Sequence, residues 1–276
     1  MMLSNDKIAL IGSGTMAQAI IKGLVQNGYD TRNILVINPH NPQSVAALQD
    51  TYHVIPAVPQ ALSAVQIIII AVKPQSFMEV VSSYQPLINQ EALLISIMAG
   101  IPLQMIEKAF EYNRVIRVMP NIALAVNLGA SGYALGRFAT ESDAEKVQSI
   151  FSVSGIAVRV PEEQINDITA LSGSGAAYIC YLLEAMQDAA EKNGMDSMNA
   201  ELLVRQTFLG LAKMLESADV TPSALRAKIT SRKGTTDAAI RKMEELGFFS
   251  IIKSGYEANK ERAEEITLEL IKKRSV

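Results

Sequence analysis

The sequence predicts an α/β fold in which a doubly wound parallel sheet is followed by a domain made only of helices. Three observations carry this. Short β-branched runs alternate with helical spacing through the first half of the chain. One of them, 66–72 (QIIIIAV), is apolar at nearly every position, as a strand covered on both faces must be. After Pro161 strand signals stop and long helical stretches take over.

The elements follow in order. Residues 7–11 (KIALI) form a first strand that runs into glycine, and 15–26 has the spacing of an amphipathic helix. A second strand falls at 33–37 (NILVI), and His53 precedes another short one. Beyond 66–72, buried strands fall at 92–97 (ALLISI) and 115–118 (VIRV), with helices at 74–84 and 102–110 between them. A last strand at 155–160 (GIAVRV) closes the sheet. Such alternation implies a Rossmann-type domain over residues 1–162. Residues 163–276 then hold helices at 176–193, 198–217, from Pro222, 235–246 and 248–272. Several are apolar on more than one face, and five or so helices leave that surface short of cover, which points to a second subunit, with packing against the first domain as the simpler alternative.

Composition excludes several classes. The 276 residues are 49% hydrophobic with a net charge of −3, so the chain folds and has no electrostatic footprint for nucleic acid. The one cysteine, Cys180, lies in the run AAYICYLL and reads as a buried helix residue. With no disulfide within the chain, no signal-peptide layout and no clean membrane span, a cytoplasmic protein is expected.

The first loop reads LIGSGTMAQA. Gly12, Gly14 and Ala17 fit G-x-G-x-x-G/A between a strand and a helix. In that pattern the first glycine turns the chain, the second admits a pyrophosphate, and the third position lets helix pack on strand. Ile11, Gly12, Ser13, Gly14, Thr15, Met16 and Ala17 are therefore candidate cofactor contacts. Asn38 ends the second strand, and residues 31–44 contain no Asp or Glu to repel a 2′-phosphate. NADP(H) is the expected cofactor, with NAD(H) also usable. Loops after two later strands add Ala71, Val72, Lys73 and Pro74, then Met98, Ala99 and Gly100. For Lys73, a place facing the ribose or phosphate and an exposed helix start are equally open. A further strand ends at the same rim in RVMPN, 117–121.

What the chain lacks narrows the chemistry. Its two histidines, His40 near the expected adenosine end and far from the hydride chemistry, and His53, read as surface residues, and no metal spacing or nucleophile elbow is present. Reduction of a ketone normally needs a proton donor such as His, Lys or Tyr. A protonated C=N is already electrophilic, so an imine needs little beyond positioning beside the nicotinamide.

Six segments, IGSGTMAQAI, AVKPQ, SIMAGI, RVMPN, ALSGSGAAY and TSRKGTT, stand in the order found in one family. Over nearly its whole length the chain resembles pyrroline-5-carboxylate reductase, which makes proline. The resemblance implies an intertwined homodimer with the active site at the interface, and in many members five dimers form a decamer. Two departures stand out. Ala176 replaces a usual proline, and Arg232-Lys233 replaces Pro-Gly in the turn Ser-Pro-Gly-Gly. Ser231, Gly234, Thr235 and Thr236 match the family and are the candidate substrate-binding residues. The N–H groups of Gly234, Thr235 and Thr236 are expected to hold a carboxylate. The resemblance assigns Thr236 the hydrogen bond to the ring nitrogen; read alone, the same threonines would be an ordinary helix cap. The expected activity is NAD(P)H-dependent reduction of 1-pyrroline-5-carboxylate. Another cyclic imino acid, or a non-catalytic dinucleotide-binding role, are the rival readings.

Overall fold

The structure, a computed structural model, describes residues 5–111, 114–217 and 219–274, with side chains to Ile271 at the C-terminal end. It separates into two compact units, residues 1–175 with 258–276, and residues 176–257. These are divisions by contact, whereas the boundary at 162/163 is a division by expected role.

The first unit is built on an eight-stranded sheet of order β3-β2-β1-β4-β5-β6-β7-β8. Its strands are β1 (Ile8–Ile11), β2 (Ile34–Ile37), β3 (Ile55–Pro56), β4 (Ile67–Ile70), β5 (Leu93–Ser96), β6 (Val115–Met119), β7 (Gly129–Leu135) and β8 (Gly155–Arg159). The first six run parallel; β7 is antiparallel to β6, and β8 is parallel to β7. Chain order reverses direction across the sheet between β1 and β4, which opens a crevice at the strands' carboxyl ends.

Helices cover both faces. They are α1 (Thr15–Gln26), α2 (Pro42–Tyr52), α3 (Phe77–Tyr84), α4 (Leu103–Phe110), α5 (Glu141–Ser152) and the short α6 (Ile165–Ile168). Alternate strand residues feed two separate cores. Ile8, Leu10, Ile67 and Ile69 enter one, while Ala9, Ile11, Ile68 and Ile70 enter the other. All four residues of β4 have no exposed surface, which is why that strand shows no polar alternation.

β7 (GASGYAL) shows no long apolar run because its neighbours leave no room for a side chain at Gly129 and Gly132. A Cβ on Gly129 would lie 2.4 Å from a Leu124 methyl carbon, and one on Gly132 would lie 2.6 Å from Ile168. α2 and α5 are instead defined at their ends. The Asn41 side chain accepts from the Ser44 N–H, and Pro42 opens α2. Thr140 and Asp143 form a reciprocal capping box on α5.

The second unit holds most of α7 (Gly175–Lys192), then α8 (Ser197–Met214), α9 (Pro222–Ile229), α10 (Thr235–Glu245) and the first part of α11 (Phe248–Arg274). Few of its side chains are buried. Tyr181 and Phe249 are each 75% exposed, and Leu202, Leu203, Ile251 and Leu246 are also open. Cys180 is exposed, not buried as its sequence context suggested. The cause is the same: within one chain the helix has too few neighbours to cover an apolar circumference. Among the described residues no helix is long and apolar enough to cross a membrane.

Residues 258–274 of α11 belong to the first unit. Leu270 enters its core, Lys260 Nζ lies 2.6 Å from Asp167 Oδ1, and the Thr267 hydroxyl donates to the Gly100 carbonyl.

Asp143 gives this unit an acid-sensitive point. It is fully buried, accepts from the Thr140 N–H at 2.9 Å, and pairs with Arg114 at 2.5 Å. Burial opposes its ionisation, but the hydrogen bonds from Arg114 and Thr140 outweigh that and hold its pKa below the usual value. A carboxyl depressed in the folded state contributes stability above its unfolded pKa and loses it as pH falls towards its folded pKa. Asp143→Ala is therefore expected to cost about 3 kcal/mol at neutral pH, because it removes the carboxylate that pairs with Arg114 and breaks the capping box of α5, leaving the Thr140 N–H without its acceptor. Urea unfolding across a pH series should show that penalty shrinking below about pH 4.

Candidate dinucleotide cleft and helix N-terminal site

The crevice beside β1 is shaped by Gly12. Its φ is +111°, and a Cβ there would lie 2.4 Å from the Ala71 carbonyl oxygen. Only glycine allows the turn after β1 to lie against the end of β4. Backbone hydrogen bonds hold it, from Gly12 N–H to the Ile37 carbonyl at 2.9 Å and from Ala71 N–H to the Ile11 carbonyl at 2.8 Å. Gly14 differs. Its φ of −71° suits any residue, and a Cβ would meet nothing within 4 Å. The protein leaves open space there, which a ligand backbone can enter. Gly14 opens α1 without a side-chain cap, and among the described residues no acceptor meets the N–H groups of Thr15, Met16 and Ala17. A helix start of this kind offers partial positive charge and free donors to an anion. Ala17 is buried against the sheet, as close helix–strand packing requires.

A cleft of about 300 Å³ opens beside this loop. Ile11, Gly12, Ser13, Gly14, Asn38, Ala71, Val72 and Lys73 all line it, so three sequence-distant loops meet. Asn38 Nδ2 donates to Ser13 Oγ at 2.8 Å, and the Ser13 carbonyl accepts from Gln18 Nε2 and Ser44 Oγ. Lys73 is both exposed and on the cleft wall. Thr15, Met16, Ala17 and Pro74 do not line it. Met98 and Gly100 are buried, and Ala99 is half-buried. Gly100 has φ +71°, and a Cβ there would lie 2.8 Å from the Ala263 carbonyl oxygen of α11.

Sequence reasoning missed the wall made by α3. Ser76, Glu79, Val80, Ser83 and Tyr84 line the cleft at helical spacing, together with His40 from the loop after β2. The recurrence at three, four, seven and eight residues was the available signal. His40, read as a surface residue, is exposed but also a cleft residue, and its Nε2 lies 2.8 Å from Glu79 Oε1. His53 ends α2 in a left-handed conformation.

The rim segment RVMPN is tied down rather than open. Arg117 is buried, donates to Asn166 Oδ1 at 3.2 Å and lies 3.5 Å from Glu162. Burial lowers its pKa, against the pull of Glu162. Asn121 joins two neighbours: its Oδ1 accepts from the Ala130 N–H and its Nδ2 donates to the Ser172 carbonyl.

In the second unit, residues 231–234 make a turn in which the Gly234 N–H donates to the Ser231 carbonyl at 2.9 Å. That corrects one expectation, because Gly234 has no free N–H left for an anion. The donors without an acceptor among the described residues are those of Thr235, Thr236 and Asp237. Gly234 is needed for space, since a Cβ would lie 2.9 Å from the Ser231 oxygen. Lys233 sits at φ +61°, at the third position of the turn. Turns of this class favour proline second and glycine third, so the Arg232-Lys233 pair keeps a turn for which Pro-Gly is the ordinary solution. The strained backbone is held by Asp237, whose Oδ2 accepts the Lys233 N–H at 3.0 Å and pairs with Arg241 at 3.1 Å. Thr235 and Thr236 are exposed in the single chain.

The model "Pyrroline-5-carboxylate reductase dimerisation" matches residues 162–266, and "NADP oxidoreductase coenzyme F420-dependent" matches residues 7–100. A pyrroline-5-carboxylate reductase of Methanosarcina acetivorans is 39% identical over 96% of this chain and 99% of its own. Pyrroline-5-carboxylate reductase 3 of Mus musculus is 35% identical over 95% of this chain and 96% of its own. Among solved structures, a pyrroline-5-carboxylate reductase from Coxiella burnetii superposes with a TM-score of 0.87 at 32% identity, covering 96% of this chain and 99% of that one. A Plasmodium falciparum pyrroline carboxylate reductase with NADP bound gives 0.84 at 26% identity, over 96% and 100%.

The two loop glycines should separate by experiment. Gly12→Ala is expected to destabilise the ligand-free protein by about 2 kcal/mol or more, through positive φ and the clash with Ala71. Gly14→Val should leave the ligand-free melting temperature nearly unchanged while dinucleotide binding, measured by calorimetry, is lost. Equal melting temperatures for Gly12→Ala and wild type would contradict this account of the turn.

Proposed function

The chain belongs to the pyrroline-5-carboxylate reductase family, and we propose that it reduces 1-pyrroline-5-carboxylate to L-proline with NADPH, NADH also being usable. The observation that carries this is that the chain has two anion-ready helix starts, α1 beside the cleft of about 300 Å³ and α10 carrying two adjacent threonines. NADP bound to the Plasmodium falciparum relative supports the cofactor. The open space over Gly14 and the free donors of α1 fit its pyrophosphate. Bound in this cleft, the cofactor supplies the hydride that reduces the C=N bond.

The remaining tasks fall to residues 231–237. Backbone N–H groups of Thr235, Thr236 and Asp237 hold the substrate carboxylate, with Arg241 offsetting the Asp237 charge. The Thr236 hydroxyl bonds the ring nitrogen as it passes from iminium to amine. No histidine, cysteine or metal is required, because the substrate nitrogen is already protonated. Residues 1–162 carry the cofactor and 163–276 the substrate turn and the dimer contact, in a cytoplasmic homodimer with a decamer of five dimers as the larger assembly. The uncovered apolar helices of residues 176–257 support the dimer.

Three measurements test the proposal. Cofactor oxidation against a panel of cyclic imino acids should show 1-pyrroline-5-carboxylate as the preferred substrate. Thr236→Ala should lose one hydrogen bond to a partly charged group, ~1.5–3 kcal/mol, and lower kcat/KM about 10- to 150-fold. Activity at the wild-type level in that variant would remove Thr236 from the mechanism. Light scattering should find a dimer or a multiple of it at assay concentration, and an active monomer would overturn the assembly.

A further inference from the structure

The cleft carries two ionisable groups that the glycine motif does not account for. His40 lies in the loop after β2 and Glu79 on α3, and their contact of 2.8 Å joins the two walls. Both side chains stand mostly in solvent, 74% and 55% exposed, so neither serves the core. In sheets of this order the end of the second strand is where a ribose 2′-position is recognised. A carboxylate there accepts a hydrogen bond from a 2′-hydroxyl and repels a 2′-phosphate, while a cation does the reverse. This chain places both, bonded to each other.

We propose that the His40–Glu79 pair sets the choice between 2′-phosphorylated and 2′-hydroxyl dinucleotides, and makes that choice depend on pH. The inference rests on the reading of this cleft as the dinucleotide site. Among the described residues the other titratable side chains lining the cleft are Lys73, in the loop after β4, and Tyr84, on α3. The turn after β1 and the first turn of α2 bring none. The phenol of Tyr84 is pushed up by burial and then by the charge of Glu79, which lines the same cleft. With His40 protonated, the imidazolium offsets Glu79 and offers a donor to a phosphate. Histidines lose that charge between about pH 5 and 8. Glu79 then stands without its counter-ion, so the 2′-phosphate is penalised and the 2′-hydroxyl is favoured.

The test is the ratio KM(NADPH)/KM(NADH), measured with 1-pyrroline-5-carboxylate from about pH 6 to 8.5 for wild type, His40→Gln and Glu79→Gln. In wild type the ratio should rise roughly fivefold to tenfold with pH, the scale of one added unit charge near a phosphate in a solvated cleft. His40→Gln should sit at the high-pH wild-type ratio throughout. Glu79→Gln should stay at or below the low-pH ratio. The cofactor's own phosphate titrates near pH 6 in every arm, so the difference between wild type and His40→Gln isolates the imidazole. Three ratios that move together would overturn the proposal. Should no protein oxidise either cofactor, the proposed function fails separately. Calorimetry with 2′-phosphorylated and unphosphorylated adenosine nucleotides then decides the pair alone: a pH-dependent ratio lost in His40→Gln supports it, and an equal ratio in all three proteins refutes it.

Discussion

The cleft exists because the turn after β1 can touch the end of β4. The Cβ position of Gly12 is 2.4 Å from the Ala71 carbonyl oxygen, a distance no side chain survives. That contact joins β1 to β4 at the point where strand order reverses, and the Gly12 N–H bond to Ile37 joins β1 to β2. Three strand ends are thereby drawn into one rim. The loops they carry, with Ser13, Asn38 and Lys73, face a common space although they are far apart in sequence. A side chain at Gly12 would push the turn off β4 and separate the walls before any ligand arrived.

How legible this was depends on whether the physical cause was local. Strands β1, β4 and β5 were readable because burial on both faces demands an unbroken apolar run. β7 was not, because the constraint comes from Leu124 and Ile168 pressing on it, and it shows only as glycines that look like turns. α2 and α5 were not among the expected helices, because their signals, Asn41-Pro42 and the Thr140–Asp143 box, lie at their ends rather than along their faces. The last helix was readable as a helix. That its C-terminal part packs on the sheet unit was not, since Gly100 and Ala263 meet at a sequence separation of 163.

The site divides in the same way. The glycine loop was legible because its role is a backbone role fixed over a few residues. The α3 wall was not. Argument from residues 31–44 alone found no acid near the ribose, yet Glu79 enters the same cleft from a later helix. Local absence of a charge is a weak guide to a field built by tertiary contact. The turn at 231–234 shows the converse. Sequence comparison marks Arg232-Lys233 as a departure, but Lys233 still takes the positive φ that a glycine would take, with Asp237 holding its N–H. The backbone course that shapes the turn is kept, and what changes is two side chains on its outside.

A common device links the two halves. α2, α5, α8 and α9 each start with a side chain that takes up a free N–H, from Asn41, Thr140, Asp196 and Thr221. α1 and α10 start instead at a glycine, with φ/ψ of −71°/179° and −84°/178° and no side-chain cap. Leaving a cap out costs stability, typically about 1 kcal/mol per helix. An uncapped start that also has room beside it is positioned to receive an external anion, and the energy forgone in the empty protein returns when the ligand supplies the acceptor. A pyrophosphate and a carboxylate are the two anions the proposed reaction brings. The chain has an open helix start for each, so a catalyst with few titratable side chains can still bind two charged molecules through its backbone.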